Sequence, residues 1–315
     1  MKILVTIEVE DKVRSDFLTK THSELLFVPR NEVTESLLKE VDAVVGNLSA
    51  SLLNSAPHLQ WVHLESAGAD QYAHQLNPDI QLTNSTGAYG HAIAEHMIAG
   101  VFYFYKKIDH YAKNQKDHLW INRGRVDSVQ GSTVVIVGYG DIGQAFGQRM
   151  KALGCHIIGV KRTPSVAPFA DQIVTMNQLT DVLCKADIIA LALPSTPETH
   201  KIIRAETLRH CKKEAVLINV GRGVTMDTDG LCQVLDEGWF KGVMLDVTDP
   251  EPLPINHPLW RYENVLITPH VSGNYNLLTT YQHVIDIAIE NINHFENKEP
   301  LINLVDRKTG YKKTS

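Results

Sequence analysis

Three residues in the second half of the chain carry side chains that could do chemistry together: Arg222, Glu251 and His270. The planar guanidinium of an arginine can bind a carboxylate through two hydrogen bonds, a geometry that lysine cannot reproduce. A histidine can deliver a proton near neutral pH, and a glutamate can hydrogen-bond the imidazole and fix its orientation. These residue types suit the reduction of a 2-keto acid, which needs a cation for the carboxylate, a hydride from a cofactor and a proton for the new hydroxyl.

Each of these residues also has an ordinary structural explanation when it is considered alone. Arg222 stands between two glycines and could bind a carbonyl at a sheet end, and Glu251 precedes a proline and could be a solvated loop acid. His270 follows a proline and could serve only in packing. The chemical interpretation is favoured because all three follow predicted strands of one sheet, and ligands of such sheets lie at the carboxyl ends of the strands.

A glycine-rich stretch between a β-branched strand and a helix predicts the source of the hydride. The stretch is Gly138-Tyr139-Gly140-Asp141-Ile142-Gly143. Gly138 suits a tight turn, Gly140 allows a pyrophosphate to approach the backbone, and Gly143 allows close helix–strand packing. The helix N-terminus that follows favours phosphate groups. Because a second strand, His156–Val160, comes at the expected distance, we predict a dinucleotide site rather than a purely structural glycine turn.

The elements that would position these residues are short apolar strands separated by helical segments. In the second half of the chain the predicted strands are 134–137, 156–160, 187–193, 216–220, 242–246 and 265–268. Such strands predict a parallel sheet that is covered on both faces. The first hundred residues repeat the pattern on a smaller scale and without a glycine fingerprint, with strands at 3–7, 41–45, 61–64 and 81–84. The predicted fold class is therefore α/β with two domains.

Two long helices are predicted, one before and one after the strands of the larger sheet in the chain. Apolar residues recur at spacings of three and four from Tyr89 to about Ala112, which predicts a helix that bridges the two domains. The polar segment that follows, 113–125, contains Trp120 and is predicted to be an arm rather than a core element. A final helix is predicted over Tyr275–Asn297, and the tail 301–315 is expected to pack back onto the first domain.

Composition excludes several classes of function. The chain has 315 residues, and its hydrophobic content of 43% is ordinary for a globular protein. Its formal net charge of −6 argues against a nucleic-acid-binding surface. No signal peptide and no apolar run long enough for a membrane span is present, so we expect a cytoplasmic protein. The spacing of the four cysteines does not match a metal-binding motif, so we expect reduced thiols. The spacing of the histidines does not match a zinc site. We therefore expect no metal.

Several motifs in a fixed order resemble the D-isomer-specific 2-hydroxyacid dehydrogenases over nearly the whole length of the chain. The segments that carry the resemblance are 137–143, 193–199, 218–223, 245–253 and 268–273. The resemblance implies a Rossmann-type doubly wound parallel sheet and a smaller, discontinuous, flavodoxin-like α/β substrate domain. It places the dinucleotide-binding domain at 97–290 and the substrate-binding domain at 1–96 and 291–315. It also implies a homodimer.

The resemblance assigns roles to individual residues. It implies Arg222 as the substrate clamp, His270 as the general acid and base, and Glu251 as the partner of His270. It places Asp246 and Pro194 near the cofactor. It also implies that a loop containing Ala67 and Gly68 holds the substrate carboxylate through backbone N–H groups, and that Tyr89 could reach the substrate or else pack at an interface. Glu95 and His96, in the first turns of the bridging helix, are interpreted as hinge structure.

The chain departs from the family pattern where the second strand of the nucleotide domain ends. Family members that use NAD usually carry an acid there, which binds the ribose hydroxyls, whereas this chain has Lys161, Arg162 and Thr163. Two cations and a hydroxyl would attract a 2′-phosphate, so we predict NADP, with NAD as the alternative. The other interpretation is a pair of solvated cations.

The predicted function is the transfer of a hydride between NAD(P)H and a small 2-keto acid similar to glyoxylate or hydroxypyruvate. Two alternatives are a formate-dehydrogenase-like enzyme and a dinucleotide-sensing corepressor. The first is disfavoured because Glu251 pairs with His270 where formate oxidation is associated with a glutamine. The second is disfavoured because the chain has no nuclear-targeting basic run or disordered extension. The motifs leave open which 2-hydroxy acid is used, the physiological direction and the oligomer size.

Overall fold

The computed structural model describes residues 1–275, 277–308 and 310–312, except for the side chain of Tyr311. Its strands are β1 Lys2–Val5, β2 Glu24–Phe27, β3 Ala43–Val45, β4 Trp61–Leu64, β5 Gln81–Asn84, β6 Thr133–Val137, β7 His156–Val160, β8 Gln172–Val174, β9 Ile188–Leu191, β10 Val216–Asn219, β11 Gly242–Leu245, β12 Val265–Ile267, β13 Val305–Asp306 and β14 Tyr311–Lys312. Its α-helices are α1 Asp11–Lys20, α2 Glu35–Leu38, α3 Ala50–Asn54, α4 Asp70–Ala73, α5 Gly90–Tyr105, α6 Ile108–Lys116, α7 Asp141–Ala152, α8 Leu179–Leu183, α9 Ala205–Leu208, α10 Thr228–Asp236 and α11 Leu278–Glu296. Short 3₁₀ helices cover Arg30–Glu32, Met176–Gln178, Gly223–Thr225 and Pro258–Arg261.

The chain divides into two compact units, which differ in their bounds from the predicted domains. The first unit is Met1–Tyr89 with Leu277–Ser315, and the second is Gly90–Asn276. The predicted divisions instead fall after residues 96 and 290. The difference arises because α5 begins at the division and lies wholly in the second unit, while α11 lies wholly in the first. Residues 276, 309 and 313–315, which fall in the predicted last helix and tail, lie outside the described residues.

The second unit contains a parallel sheet of the doubly wound type. Its strand order is β12-β11-β10-β9-β6-β7-β8, and every pairing within it is parallel. The middle strands β6, β9, β10 and β11 are buried almost throughout, as expected when helices cover both faces. The predicted α/β fold class is confirmed. Strand β8, which lies at the sheet edge, is absent from the sequence-based assignment because it has only one fully buried residue.

The predicted bridging helix is interrupted rather than continuous. Helix α5 ends at Tyr105, and α6 starts at Ile108 after Lys107, whose φ of 55° lies in the left-handed region. A left-handed residue cannot continue a right-handed helix. The side-chain ammonium of Lys107 donates to the carbonyl of Arg123, and that of Lys106 donates to the carbonyl of Asp127. The break is therefore held by the arm that follows α6.

The first unit contains a smaller parallel sheet with the order β2-β1-β3-β4-β5. Helix α11 joins this unit through polar contacts: the Asn291 side chain bonds to both the N–H and the C=O of Ile302. The Glu296 carboxylate accepts the backbone N–H groups of His22 and Ser23. Near the end of the chain, the half-buried guanidinium of Arg307 donates to carbonyls that follow α4, including that of Leu76. These bonds hold the C-terminal segment against the first unit, as the sequence predicted for the tail.

A buried histidine lies on β4 of the smaller sheet. His63 is fully buried; its Nδ1 is 2.9 Å from Thr83 Oγ1, and its Nε2 is 3.2 Å from Ser85 Oγ. Asn291 Nδ2 lies 3.4 Å from Nδ1, so Nδ1 accepts and the proton belongs on Nε2. Burial lowers the pKa of His63 from 6.5 to about 3, because no anion compensates the desolvation of an imidazolium.

We expect His63 to make the folded protein sensitive to acid. Below pH 6.5 the unfolded chain binds a proton that the folded state excludes down to about pH 3. This site should therefore lower the free energy of unfolding by about 1.4 kcal/mol for each pH unit in that window as pH falls. Denaturant unfolding of His63→Asn across this window should give a free energy of unfolding that depends on pH less steeply, by that amount per pH unit. The reason is that asparagine does not titrate. His58→Asn, at an exposed histidine, is the control; equal slopes for the native protein and His63→Asn would contradict the assignment.

Candidate active site

The glycine fingerprint forms an open cradle between β6 and α7. Gly138 has a φ of 99°, and a Cβ there would lie 2.5 Å from the carbonyl oxygen of Ala192. A Cβ at Gly143 would lie 2.4 Å from the carbonyl oxygen of Gly138, so only glycine allows the helix to approach the strand. No described atom lies within 4 Å of a Cβ built at Gly140. Gly140 is the N-cap of α7, and unpaired N–H groups at a helix N-terminus favour an anion.

Tyr139, Asp141 and Ile142 are predicted to bind the cofactor as part of the fingerprint, and the side chain of Tyr139 is directed into the protein, away from the cradle. The residue is 1% exposed, and its side chain fills space left by two glycines: a Cβ at Gly147 would lie 2.6 Å from the Tyr139 hydroxyl, and one at Gly159 would lie 2.6 Å from its ring. Its hydroxyl donates to the carbonyl of Pro168 at 2.8 Å, and burial raises its pKa to about 12. Tyr139 therefore anchors the loop that connects β7 to β8. The neighbouring Asp141 and Ile142 are the first two residues of α7.

The loop after β7 presents the cationic residues predicted to distinguish the two cofactors. Lys161 is half-buried and its Nζ lies 2.9 Å from Ser165 Oγ, whereas Arg162 and Thr163 are exposed. Glu198 lies close enough for Arg162 to contribute to its lowered pKa, although its own backbone N–H and the Thr196 side chain contribute more. A cleft of about 410 Å³ lined by 164–167 and 170–173 adjoins this loop. Pro194, also assigned to the cofactor, follows β9 and its carbonyl accepts the Thr199 hydroxyl.

Arg222 follows β10 in a position where the backbones of neighbouring strands approach closely. A Cβ at Gly221 would lie 2.3 Å from the carbonyl oxygen of Leu193, and one at Gly223 would lie 1.9 Å from that of Thr248. The flanking glycines are therefore required by packing. The half-buried guanidinium donates from Nη1 to the carbonyl of Gly221 at 2.9 Å, which directs it along the carboxyl edge of the sheet.

Glu251 and His270 form the pair that the sequence predicts. Glu251 Oε2 lies 2.9 Å from His270 Nδ1, and Oε1 accepts the backbone N–H of Thr248 at 3.1 Å. The side chains are 39% and 48% exposed, so both can be reached from outside. Because Nδ1 is bound to the carboxylate, Nε2 is the nitrogen that can exchange a proton with a substrate.

Asp246 holds the loop that carries His270. The residue is 1% exposed, and its carboxylate accepts the Thr268 hydroxyl at 2.6 Å, the Val271 N–H at 3.0 Å, the Ser272 N–H at 3.1 Å and the Ser272 hydroxyl. Burial alone would raise its pKa, but the hydrogen bonds from Ser272, Thr268 and Val271 outweigh burial and lower it. Asp246 is predicted to lie near the cofactor, and its carboxylate is directed into the protein, toward the loop that carries His270.

His96, which is predicted to be hinge structure, also lies at this site. Its Nε2 lies 3.2 Å from Thr268 Oγ1 and 3.8 Å from Asp246 Oδ1. A histidine on the otherwise apolar face of α5 was the available signal. The strand that it would face could not be identified without the packing of α5.

In the first unit, the loop after β4 has the form of a small anion site. Ala67 and Gly68 are half-exposed, and within residues 1–275, 277–308 and 310–312 their backbone N–H groups have no hydrogen-bond partner. The Ala67 carbonyl accepts Asn84 Nδ2 at 2.6 Å, and the Gly68 carbonyl accepts the Ser66 hydroxyl at 2.8 Å. Tyr89 is 8% exposed, and its hydroxyl donates a hydrogen bond to the carbonyl of Glu65 at 2.6 Å. These contacts favour the interpretation of Tyr89 as a packing residue.

Two classes of site find no support in the part of the chain that the structure describes. There, no cluster of three or more histidine, cysteine, aspartate or glutamate side chains could hold a metal ion. Over the same residues, no helix has the length and apolar character needed to cross a membrane.

Comparisons with known proteins agree with this geometry. A family model described as the NAD binding domain of D-isomer specific 2-hydroxyacid dehydrogenases matches residues 98–272. Among curated relatives, a glyoxylate reductase of Pyrococcus horikoshii is 30% identical, with 86% of each chain covered.

Solved structures extend the likeness to both units. A D-isomer specific 2-hydroxyacid dehydrogenase family protein from Aeromonas salmonicida superposes with a TM-score of 0.88 at 29% identity, covering 97% of this chain and 99% of the other. A D-isomer specific 2-hydroxyacid dehydrogenase from Xanthobacter autotrophicus, in complex with NADPH and MES, has a TM-score of 0.84 at 25% identity, covering 98% and 99%. The chain therefore belongs to the D-isomer specific 2-hydroxyacid dehydrogenase family and is an NAD(P)-dependent oxidoreductase of 2-keto and 2-hydroxy acids.

Proposed function

We propose that this enzyme reduces a small 2-keto acid, glyoxylate or hydroxypyruvate, with His270 as the proton donor. The observation that carries the proposal is the 2.9 Å contact between His270 Nδ1 and Glu251 Oε2 at the carboxyl edge of the nucleotide sheet. Support for the substrate class comes from the Pyrococcus horikoshii relative, which is a glyoxylate reductase. When bound, the nicotinamide cofactor supplies the hydride, which adds to the carbonyl carbon.

The remaining residues complete the reaction. Arg222 pairs with the substrate carboxylate and polarises the keto oxygen, for which its planar fork is suited. As the carbonyl π electrons move onto oxygen, His270 transfers the proton from Nε2, and Glu251 keeps the imidazole oriented. In the first unit, the N–H groups of Ala67 and Gly68 are suited to bind a carboxylate. Because these N–H groups are half-buried, they bind an anion more strongly than fully solvated N–H groups would.

We expect His270→Ala to lower kcat for keto-acid reduction by roughly 10²–10⁴-fold, because the proton donor is removed. The dissociation constant for the cofactor should stay within about twofold, since its cradle is built from the fingerprint. Steady-state kinetics with a panel of 2-keto acids and both cofactors, plus a fluorescence titration of cofactor binding, measure these quantities. His210→Ala, at an exposed histidine of the same unit, is the control. A loss below tenfold in His270→Ala would place the acid elsewhere.

We further propose that the preferred cofactor is NADPH. Lys161 is already oriented by Ser165, and Arg162 and Thr163 are exposed next to it at the end of β7. A 2′-phosphate placed there would gain charge-assisted hydrogen bonds, whereas the free ribose hydroxyls of NADH find no acid in this segment. The Xanthobacter autotrophicus structure that this chain resembles contains NADPH.

The cofactor preference is expected to depend on charge. NADPH should bind about ten- to a hundredfold more tightly than NADH, and the ratio should fall as ionic strength rises. Lys161→Asp combined with Arg162→Ala should invert the preference, because it adds a ribose acceptor and removes the phosphate partners. Dissociation constants for both cofactors at low and high salt measure this. Lys185→Asp, an exposed charge reversal at a distance in sequence, is the control; equal affinities in the unaltered enzyme would overturn the NADP assignment and leave the dehydrogenase assignment intact.

The assembly and location of the enzyme are part of the same proposal. In the arm after α6, the side chain of Trp120 is fully exposed at 103%, and those of Leu119 and Ile121 are 45% and 48% exposed. Adjacent exposed apolar side chains of this size mark a protein contact more often than a solvated surface. We infer that the arm covers a second copy in a homodimer, and that the enzyme works in the cytoplasm.

We expect Trp120→Ser to weaken the dimer at least tenfold, because buried tryptophans contribute strongly to interfaces. Sedimentation equilibrium over a range of concentrations measures the change. Trp260→Ser is the matched control, since Trp260 is 51% exposed but its indole is bound to the carbonyl of Pro254. A monomeric native enzyme, or equal dissociation constants for the native enzyme and Trp120→Ser, would contradict the assignment of the arm.

A further inference from the structure

The loop that carries His270 depends on side-chain contacts for its conformation. His270 has a φ of 51°, in the left-handed region that β-carbon-bearing residues adopt at a cost. Its N–H donates to the carbonyl oxygens of Asp246 at 2.9 Å and Thr268 at 3.0 Å. The Asp246 carboxylate fixes the residues on both sides, through Thr268 before His270 and through Val271 and Ser272 after it. The position of the imidazole is therefore set by how well Asp246 and Thr268 are held.

Helix α5 packs along β11 in a register that brings one polar side chain to this place. A Cβ at Gly242 would lie 2.2 Å from the Phe104 ring, and a Cβ at Gly100 would lie 2.1 Å from the sulfur of Met244. Four helical residues advance about 6 Å and two strand residues about 6.6 Å, so the steps match. Four residues further towards the start of α5 and two further along the direction of β11, His96 lies opposite Asp246. The distance of 3.8 Å between His96 Nε2 and Asp246 Oδ1 is consistent with this register.

The hydroxyl of Thr268 connects the two groups. It donates to Asp246 Oδ1 at 2.6 Å, which leaves its oxygen able to accept from His96 Nε2 at 3.2 Å. A hydroxyl that accepts one hydrogen bond donates more strongly to a carboxylate, because the bonds polarise each other. The His96 side chain is 24% exposed and that of Asp246 is 0% exposed, so water competes little at the carboxylate.

We propose that His96 is a positioning residue for the reaction: it orients the Thr268 hydroxyl toward Asp246 and so holds the His270 loop in its left-handed conformation. The proposal rests on the proposed role of His270 as proton donor. His96 acts through Thr268 and Asp246, so its removal should affect the step in which the proton is transferred more than the binding of either ligand. The interaction lies wholly in the second unit.

Two substitutions separate hydrogen bonding from packing. His96→Leu keeps the side-chain volume but removes the donor, and we expect kcat to fall by on the order of tenfold, because small misplacements of catalytic groups have large effects. KM for the keto acid and the dissociation constant for the cofactor should stay within about twofold. His96→Gln places an N–H near the position of Nε2, and it should recover most of kcat. His91→Leu on the same helix is the control, since His91 is exposed and bonded only to Glu95 at 2.7 Å among the described side chains.

Amide hydrogen exchange of the free protein gives a second readout that does not require turnover. In His96→Leu the N–H groups of Val271 and Ser272 should exchange at least threefold faster, with strand β4 as an unaffected reference, and His96→Gln should restore the native rates. Unchanged kcat and exchange in His96→Leu would overturn the proposal, as would an equal loss of kcat in the leucine and glutamine variants. If the native enzyme reduces no keto acid, or if His270→Ala stays active, the proposed function fails, while the exchange result still decides whether His96 holds the loop.

Discussion

The buried carboxylate of Asp246 is the interaction on which the geometry of the active site depends. An isolated charge in a protein interior is costly, and it persists only where hydrogen bonds replace the lost hydration. Here the hydrogen-bond donors come from Thr268, Val271 and Ser272, so the need to solvate Asp246 also folds the loop that contains His270. The left-handed backbone of His270, which costs of order 1–3 kcal/mol, is offset by these bonds. The same hydrogen bonds therefore stabilise the carboxylate and position the imidazole.

The parallel sheet explains why the functional groups of the second unit gather at one edge. Strands β9 and β6 are neighbours, and the chain continues in opposite directions from them across the sheet. Their connections leave a crevice at the carboxyl ends, which is where ligands of such folds bind. Gly138 and Gly221 allow the backbone after β6 and β10 to approach the segment after β9, with would-be Cβ contacts of 2.5 Å and 2.3 Å. These close approaches bring the phosphate cradle and Arg222 onto the same edge.

The first unit uses related architecture for a different purpose. It has five parallel strands, no glycine fingerprint and a fully buried histidine where polar groups of β4, β5 and α11 converge. A neutral imidazole with both nitrogens bonded is stable in a core, but it makes the unit sensitive to acid. The return of α11 from the far end of the chain supplies Asn291 to this network. The first unit therefore needs both ends of the chain to complete its core.

The sequence by itself determined the fold class, the position of the fingerprint, the family and the pairing of Glu251 with His270. These follow from local signals: apolar runs of strand length, glycines at fixed spacing, and motifs that each lie within a few residues. The side-chain direction of Tyr139, the interruption at Lys107, the inward orientation of Asp246 and the contact of His96 with Thr268 were decided only by tertiary structure. His96 and Thr268 are separated by 172 positions, and no local pattern records which face of α5 meets β11. The face of α5 that meets β11 is set by the close packing of Gly100 and Gly242 against the facing element. These contacts form only when the helix packs on the sheet.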